Sequence, residues 1–214
     1  MVRAVVFDVG ETLIDETRIF TRWAARLGLP AGTFLGLIGA CAATDRPLSD
    51  AFAIARPGID LEAEIARWAH DDPEGLRENF DADDLYPDVR PALAALRDAG
   101  LAVVVAGNQP PQARAALEAM DLPVDAIRTS DEWGVEKPDP VFFARVADLA
   151  GVPAPDVAYV GDRLDNDVLP AADAGMRPVL IRRGPWGYLH AERPEAARCD
   201  VVDSLGDLVG LLAR

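Results

Sequence analysis

The sequence predicts an α/β protein: a core built on a parallel sheet, with a helical segment inserted early in the chain. Short β-rich apolar runs alternate with helical patterns, which is the mark of βαβ units and so of a parallel sheet. More than ninety residues separate the first such run from the second, far more than one crossover helix requires. The residues between them show helical periodicity and no strand-like alternation. These features together describe a Rossmann-like sheet core made of residues 1–14 and 86–214, with an all-helical insert at 15–85.

The first strand is expected at 4–7, where four apolar residues lead into Asp8. Inside the insert, helical patterns run over 18–27 with Trp23, 33–43, 49–55, and 61–69 with Trp68. The two tryptophans lie on helical apolar faces and are expected to pack in the insert's own core. A helix at 88–99 stopped by Gly100 precedes the second strand at 101–106. A helix at 111–120, a strand at 124–127 and a helix at 140–150 stopped by Gly151 follow. The remaining strands are expected at 157–160 and 178–181, separated by a helix ending at Gly175. Glycine just past a helix supplies the left-handed cap residue. The segment at 204–212 is amphipathic and is expected to pack on the sheet.

Composition narrows the function classes. The chain has 214 residues, half of them hydrophobic, and 21 basic against 36 acidic side chains give a net charge of −15. Such a chain can build a core, so disorder, collagen-like repeats and a disulfide scaffold are excluded. Its averaged field repels nucleic-acid backbones and anionic membranes, so neither is expected as a partner. No apolar run approaches the roughly 20 residues that span a bilayer, and the first residues carry charge too early for a signal peptide. Cys41 and Cys199 lack CxxC spacing and read as ordinary thiols in a reducing cytoplasm. The oligomeric state is not readable.

Of the 21 basic residues 20 are Arg, and Lys137 is the only Lys. Where a single compact charge must fit among several acceptors, Arg cannot stand in for Lys, so the exception points to function. In doubly wound sheets ligands bind at the carboxyl ends of the strands. The residues expected there are Asp8, Gly107 with Asn108, and Gly161 with Asp162. A carboxylate at the tip of a buried strand is costly unless it is paired or metal-bound. Asp162, Asp165 and Asp167 crowd one strand end, and acids that close repel one another unless a cation neutralises them. The pattern asks for a hard divalent ion with oxygen ligands, usually Mg²⁺.

FDVGETL at 7–13, EKPDP at 136–140 and VGDRLDND at 160–167, in this order around a helical insert, resemble the haloacid dehalogenase-like hydrolase superfamily over nearly the whole chain. The resemblance implies that Asp8 is a nucleophile forming an aspartyl-phosphate and also touches the metal. It implies that Asp162 is a direct Mg²⁺ ligand, with Asp167 its acidic partner holding a bound water or Lys137. Lys137 would neutralise nucleophile and phosphate together. The insert resembles the superfamily's C1 cap, a lid that excludes water and selects the substrate, here a small phosphorylated metabolite.

Two positions depart from the pattern. Family phosphatases carry a second Asp two residues after the nucleophile, as proton donor and then base, and this chain has Gly10. Its main-chain carbonyl can still serve the metal, but it cannot move a proton, and such help is worth about 10²–10⁴ in rate. Glu11 and Asp15 are near, but neither is expected to replace it. The second departure is Gly107, where the family has Ser or Thr. The phosphate-binding hydroxyl is lost, while the main-chain N–H groups of Gly107 and Asn108 remain. Four readings follow: a Mg²⁺-dependent phosphatase, a dehalogenase, a catalytically weak or silent binding protein, and a receiver domain. The acids at 162–167 argue against the dehalogenase and the long insert against the receiver.

Other residues are expected to be structural. Asp165 should cap a helix beginning near Asn166, Thr12 should serve the turn after Asp8, and His70 and His190 should not be catalytic bases. Residues 182–187 are expected to form a surface loop.

Overall fold

The computed structural model describes residues 1–213. Six strands form one parallel sheet in the order β3-β2-β1-β4-β5-β6. They are β1 (Ala4–Phe7), β2 (Ala102–Gly107), β3 (Ala126–Thr129), β4 (Val157–Gly161), β5 (Arg177–Ile181) and β6 (Asp200–Val202). In β1 every residue is buried, as a central strand covered on both faces requires. Alternation then assigns side chains to opposite layers. Val5, Phe7, Val103, Val105, Ala158 and Val160 join one core, and Ala4, Val6, Val104, Ala106, Val157 and Tyr159 the other.

α5 (Val89–Asp98) and α11 (Leu205–Leu212) bury Leu93, Leu96, Leu205 and Leu208 in the first core, while α8 (Pro140–Ala150) buries Phe142, Phe143 and Val146 in the second. α6 (Pro111–Ala119) and the short α7 (Ser130–Trp133) pack beside β3. Gly100, Gly151 and Gly175 all sit at positive φ past helix ends, as expected. β3 begins two residues later than the sequence suggests, because Val124 N–H closes a tight turn onto the Leu122 carbonyl. β6 was not foreseen: three residues, one of them charged, carry too little pattern to register.

Between β1 and β2 lie α1 (Thr17–Leu27), α2 (Ala31–Ala43), α3 (Leu48–Ala55) and α4 (Leu61–Asp71). Trp23 packs edge-on against Phe52 at 4.9 Å and Trp68 at 5.0 Å, and Phe34 against Phe52 at 5.0 Å, so the tryptophans are core residues of this layer. Glu64 is buried beside them, and Arg26, Arg56 and Arg67 all reach its carboxylate. The two chain segments that join these helices to the sheet run side by side: Ile14 pairs antiparallel with Leu85, Asp15 N–H bonds Asp84 O, and Tyr86 N–H bonds Leu13 O. Among the described residues no single helix is long and apolar enough to cross a membrane.

One expectation is overturned. Residues 182–187 are not a surface loop: α10 (Gly184–Ala191) starts there, and Arg183 is buried. Its guanidinium lies 4.1 Å from the Tyr86 ring centre, donates to Thr12 O, and pairs with Asp88 at 2.5 Å. A buried cation with that many partners ties β5 to both connecting segments.

Candidate active site

The chain runs from β1 outward to β2 and β3, then returns to the other side of β1 as β4. The strand order therefore reverses between β1 and β4, the place where open α/β sheets bind ligands. Asp8 follows β1 and Asp162 follows β4, and the Asp8 N–H bonds the Val160 carbonyl at 2.9 Å, extending the ladder into the site.

Lys137 lies between the two neighbouring carboxylates. Its Nζ is 2.7 Å from Asp8 Oδ1 and 2.5 Å from Asp167 Oδ1, and its side chain is 1% exposed. The ring centres of Tyr159 and Phe142 lie 5.7 and 6.0 Å from the ammonium, closing its apolar side. Burial alone favours the neutral amine, but Asp167 and Asp8 more than offset it, so the pKa is pushed well above the ordinary value and the cation persists. The Asn108 side chain holds the Lys137 backbone from both directions: Oδ1 accepts Lys137 N–H at 2.8 Å and Nδ2 donates to Lys137 O at 3.0 Å. Tyr159 in turn donates its hydroxyl to Ala106 O.

Carboxylate oxygens of Asp8, Asp162 and Asp167 all lie within 4.8 Å of one another, each residue buried. Burial and then the neighbouring acids Asp167 and Asp8 push Asp162 well above the usual carboxylate range. Burial also drives Asp167 upward; Lys137 restrains it, and it settles at about 6. One ammonium is too little charge for three buried carboxylates. The donor set, oxygen only and anionic, fits a hard divalent cation such as Mg²⁺.

Asp165 does not cap a helix. A single π-turn at Leu164–Val168 precedes α9 (Leu169–Asp173), and it is Asp167 that accepts the Arg163 N–H, at 3.0 Å. Asp165 faces outward and pairs with the Arg163 side chain. His190 is buried and accepts the Leu164 N–H at Nδ1, a structural bond. His70 stays in the last turn of α4.

The two glycines that depart from the family pattern are places of close approach. Neither has positive φ, so conformation does not demand them. A Cβ on Gly107 would stand 2.3 Å from Asp8 Oδ1, so the space of the missing Ser or Thr is taken by the Asp8 carboxylate itself. A Cβ on Gly10 would stand 2.9 Å from both Cδ and Oε1 of Glu16. Glu16 was passed over in the sequence, where distance along the chain hid it behind Glu11 and Asp15. Glu11 is engaged: it accepts the Tyr86 hydroxyl at 2.5 Å. Asp15 accepts Thr17 N–H at 2.9 Å. Burial, then Glu11, Asp8 and Asp15, push the Glu16 carboxyl up to about 8.

A model of the haloacid dehalogenase-like hydrolases matches residues 2–175. The chain belongs to that family. This hydrolase is 31% identical over 207 residues to a glyceraldehyde 3-phosphate phosphatase of Methanopyrus kandleri, the match covering 87% of the chain and 86% of that protein. It is 33% identical to phosphoglycolate phosphatase 1 of Pseudomonas aeruginosa, over 97% of the chain and 78% of the relative. Its fold superposes on the crystal structure of a dehalogenase with a TM-score of 0.68 at 25% identity, covering 100% of the chain and 98% of the other. The expected α/β fold class and family are therefore those of the protein.

Proposed function

We propose that this hydrolase is a phosphatase for a small phosphorylated metabolite and that its phosphoryl group passes through Asp8. The observation that carries the reading is the convergence of Asp8, Lys137, Asp162 and Asp167 at the switch point of the sheet. The two curated relatives named above are phosphatases of small phosphate esters. Displacement of halide at carbon needs no metal, so a buried cluster of three carboxylates suited to a divalent cation argues against a dehalogenase.

Asp8 attacks phosphorus through one carboxylate oxygen, the P–O bond to the leaving group breaks, and water then cleaves the acyl phosphate to free the carboxylate. Lys137 fixes where the Asp8 carboxylate points through their ion pair and sets its positive charge beside the phosphate. Asn108 fixes Lys137 by its side chain, so what Asn108 and Gly107 offer the phosphate is main-chain N–H. Asp8, the Gly10 carbonyl, Asp162 and Asp167 would hold Mg²⁺. When bound, the ion supplies positive charge against the phosphate oxygens. The helical segment at 15–85 serves as the lid over the strand ends, excluding water and choosing the substrate.

The test is hydrolysis of an aryl phosphate with Mg²⁺ or with chelator, beside an Asp8→Asn variant. Turnover that needs the metal and falls at least about 10³-fold in Asp8→Asn is expected. Turnover equal in the variant, or none in the wild type with Mg²⁺, rejects the reading.

A further inference from the structure

Cleaving an alkyl phosphate needs a proton for the departing alkoxide, and cleaving the acyl phosphate needs a base for the incoming water. Most acids at the strand ends are already committed. Asp8 and Asp167 share Lys137, and Asp162 completes their cluster. Glu11 holds the Tyr86 hydroxyl, and Asp15 caps Thr17 N–H. Asp165 is paired with Arg163. The imidazole of His190 is tied to Leu164 N–H.

Glu16 is the exception. It is the N-cap residue just before α1, yet its side chain makes no capping bond there. Its carboxylate turns instead toward the segment after Asp8, 2.9 Å from the point where a side chain on Gly10 would start. It is half-buried rather than sealed in the core. Gly10 is an ordinary backbone position, and the space its side chain would take is occupied by the Glu16 carboxylate.

We propose that Glu16 is the general acid and base of this hydrolase. The inference rests on the phosphatase reading. In the first step the ester oxygen takes the electron pair of the breaking P–O bond and the proton of the Glu16 carboxyl, leaving as an alcohol while Asp8 Oδ bonds phosphorus. In the second, the Glu16 carboxylate takes a proton from water as its oxygen bonds phosphorus. The P–O(Asp8) bond breaks, its electron pair returns to Asp8, and inorganic phosphate leaves.

The test compares glycerol phosphate with p-nitrophenyl phosphate, whose leaving group needs no proton, in wild type, Asp8→Asn, Glu16→Gln, Glu16→Ala and Gly10→Asp/Glu16→Ala, each checked for native melting. Glu16→Gln should lose about 10²–10⁴ in kcat/KM on the alkyl ester and at least tenfold less on the aryl ester. It should release a burst of about one nitrophenol per enzyme, with phosphorylated protein seen by intact mass. Gly10→Asp/Glu16→Ala, which puts a carboxylate into the same space from the other backbone position, should recover at least tenfold of the alkyl activity lost in Glu16→Ala. Equal losses on both esters without a burst, or no loss at all, overturn the role of Glu16 while Asp8-dependent turnover leaves the phosphatase standing. No Asp8-dependent turnover of either ester by the wild type removes both.

Discussion

Lys137→Met deletes the one cation among three buried carboxylates while keeping a side chain of similar length. At 4.8 Å, the outer limit of their mutual approach, two ionised carboxylates repel by about 3–4 kcal/mol at an effective dielectric constant near 20. Removing one partner of a buried ion pair costs about 3–5 kcal/mol. The two figures agree, so a loss of about 4 kcal/mol is expected at pH 8 in chelator, or roughly 10 °C in Tm for a chain of this size. Acid should relieve it. Asp167 already binds its proton near 6, above the ordinary 3.8, so the metal-free fold holds more protons than the unfolded chain between those values. Its stability therefore falls as pH rises through that window. Without Lys137 the carboxyl moves further up, and the loss extends past neutrality. Mg²⁺ should relieve it too, by neutralising the same acids. The assay is urea unfolding at pH 5.5 and 8, with Mg²⁺ and with chelator. A variant within about 1 kcal/mol of wild type at pH 8 without metal would refute the reasoning.

Glu64→Gln tests the helical layer. Hydrogen bonds from Arg67 and Arg26 hold the carboxylate at about 2 against an ordinary 4.5, which bounds the effect at about 3 kcal/mol. Arg67 and Arg56 are 60% and 41% exposed, so solvent screening brings the expected loss to about 1–2 kcal/mol. A depressed carboxyl stabilises above its unfolded pKa, so the difference between variant and wild type in denaturant melts should be full at pH 6 and shrink as pH falls toward 2. A pH-independent difference would contradict the ion-pair account. As the only lysine, Lys137 also makes amine labelling residue-specific. Mass spectrometry should find the 93% exposed N-terminal amine modified rapidly and Lys137 only when the chain unfolds; rapid labelling of both would mean that the site opens readily.

The sheet was legible because buried parallel strands are nearly continuous apolar runs, and the helices because glycine ends them. Asp8, Lys137, Asp162 and Asp167 were legible through position at strand ends and the rarity of lysine, and the structure brings all four together. Asn108 was read correctly as part of the strand end, but its grip on Lys137 depends on a loop meeting that no spacing encodes. Asp165 was misplaced because the turn at Leu164–Val168 starts before it, so Asp165 lies inside the turn, exposed and paired with Arg163, while Asp167 accepts the Arg163 N–H. Arg183 and Tyr86 were missed because their partnership joins residues 97 positions apart, across three segments. Glu16 was missed because the sequence shows only that Gly10 lacks a side chain, and not which other residue reaches into that space.

The pairing of Ile14 with Leu85 means that the helical insert leaves and rejoins the sheet at almost one point. An excursion anchored in this way places little constraint on its own length, since the entropy of closing a loop grows only with the logarithm of its residues. The sheet keeps the same boundary whatever is strung between those two residues. The insert can therefore change in length or content as a unit while the strand ends on the other side of that boundary stay as they are.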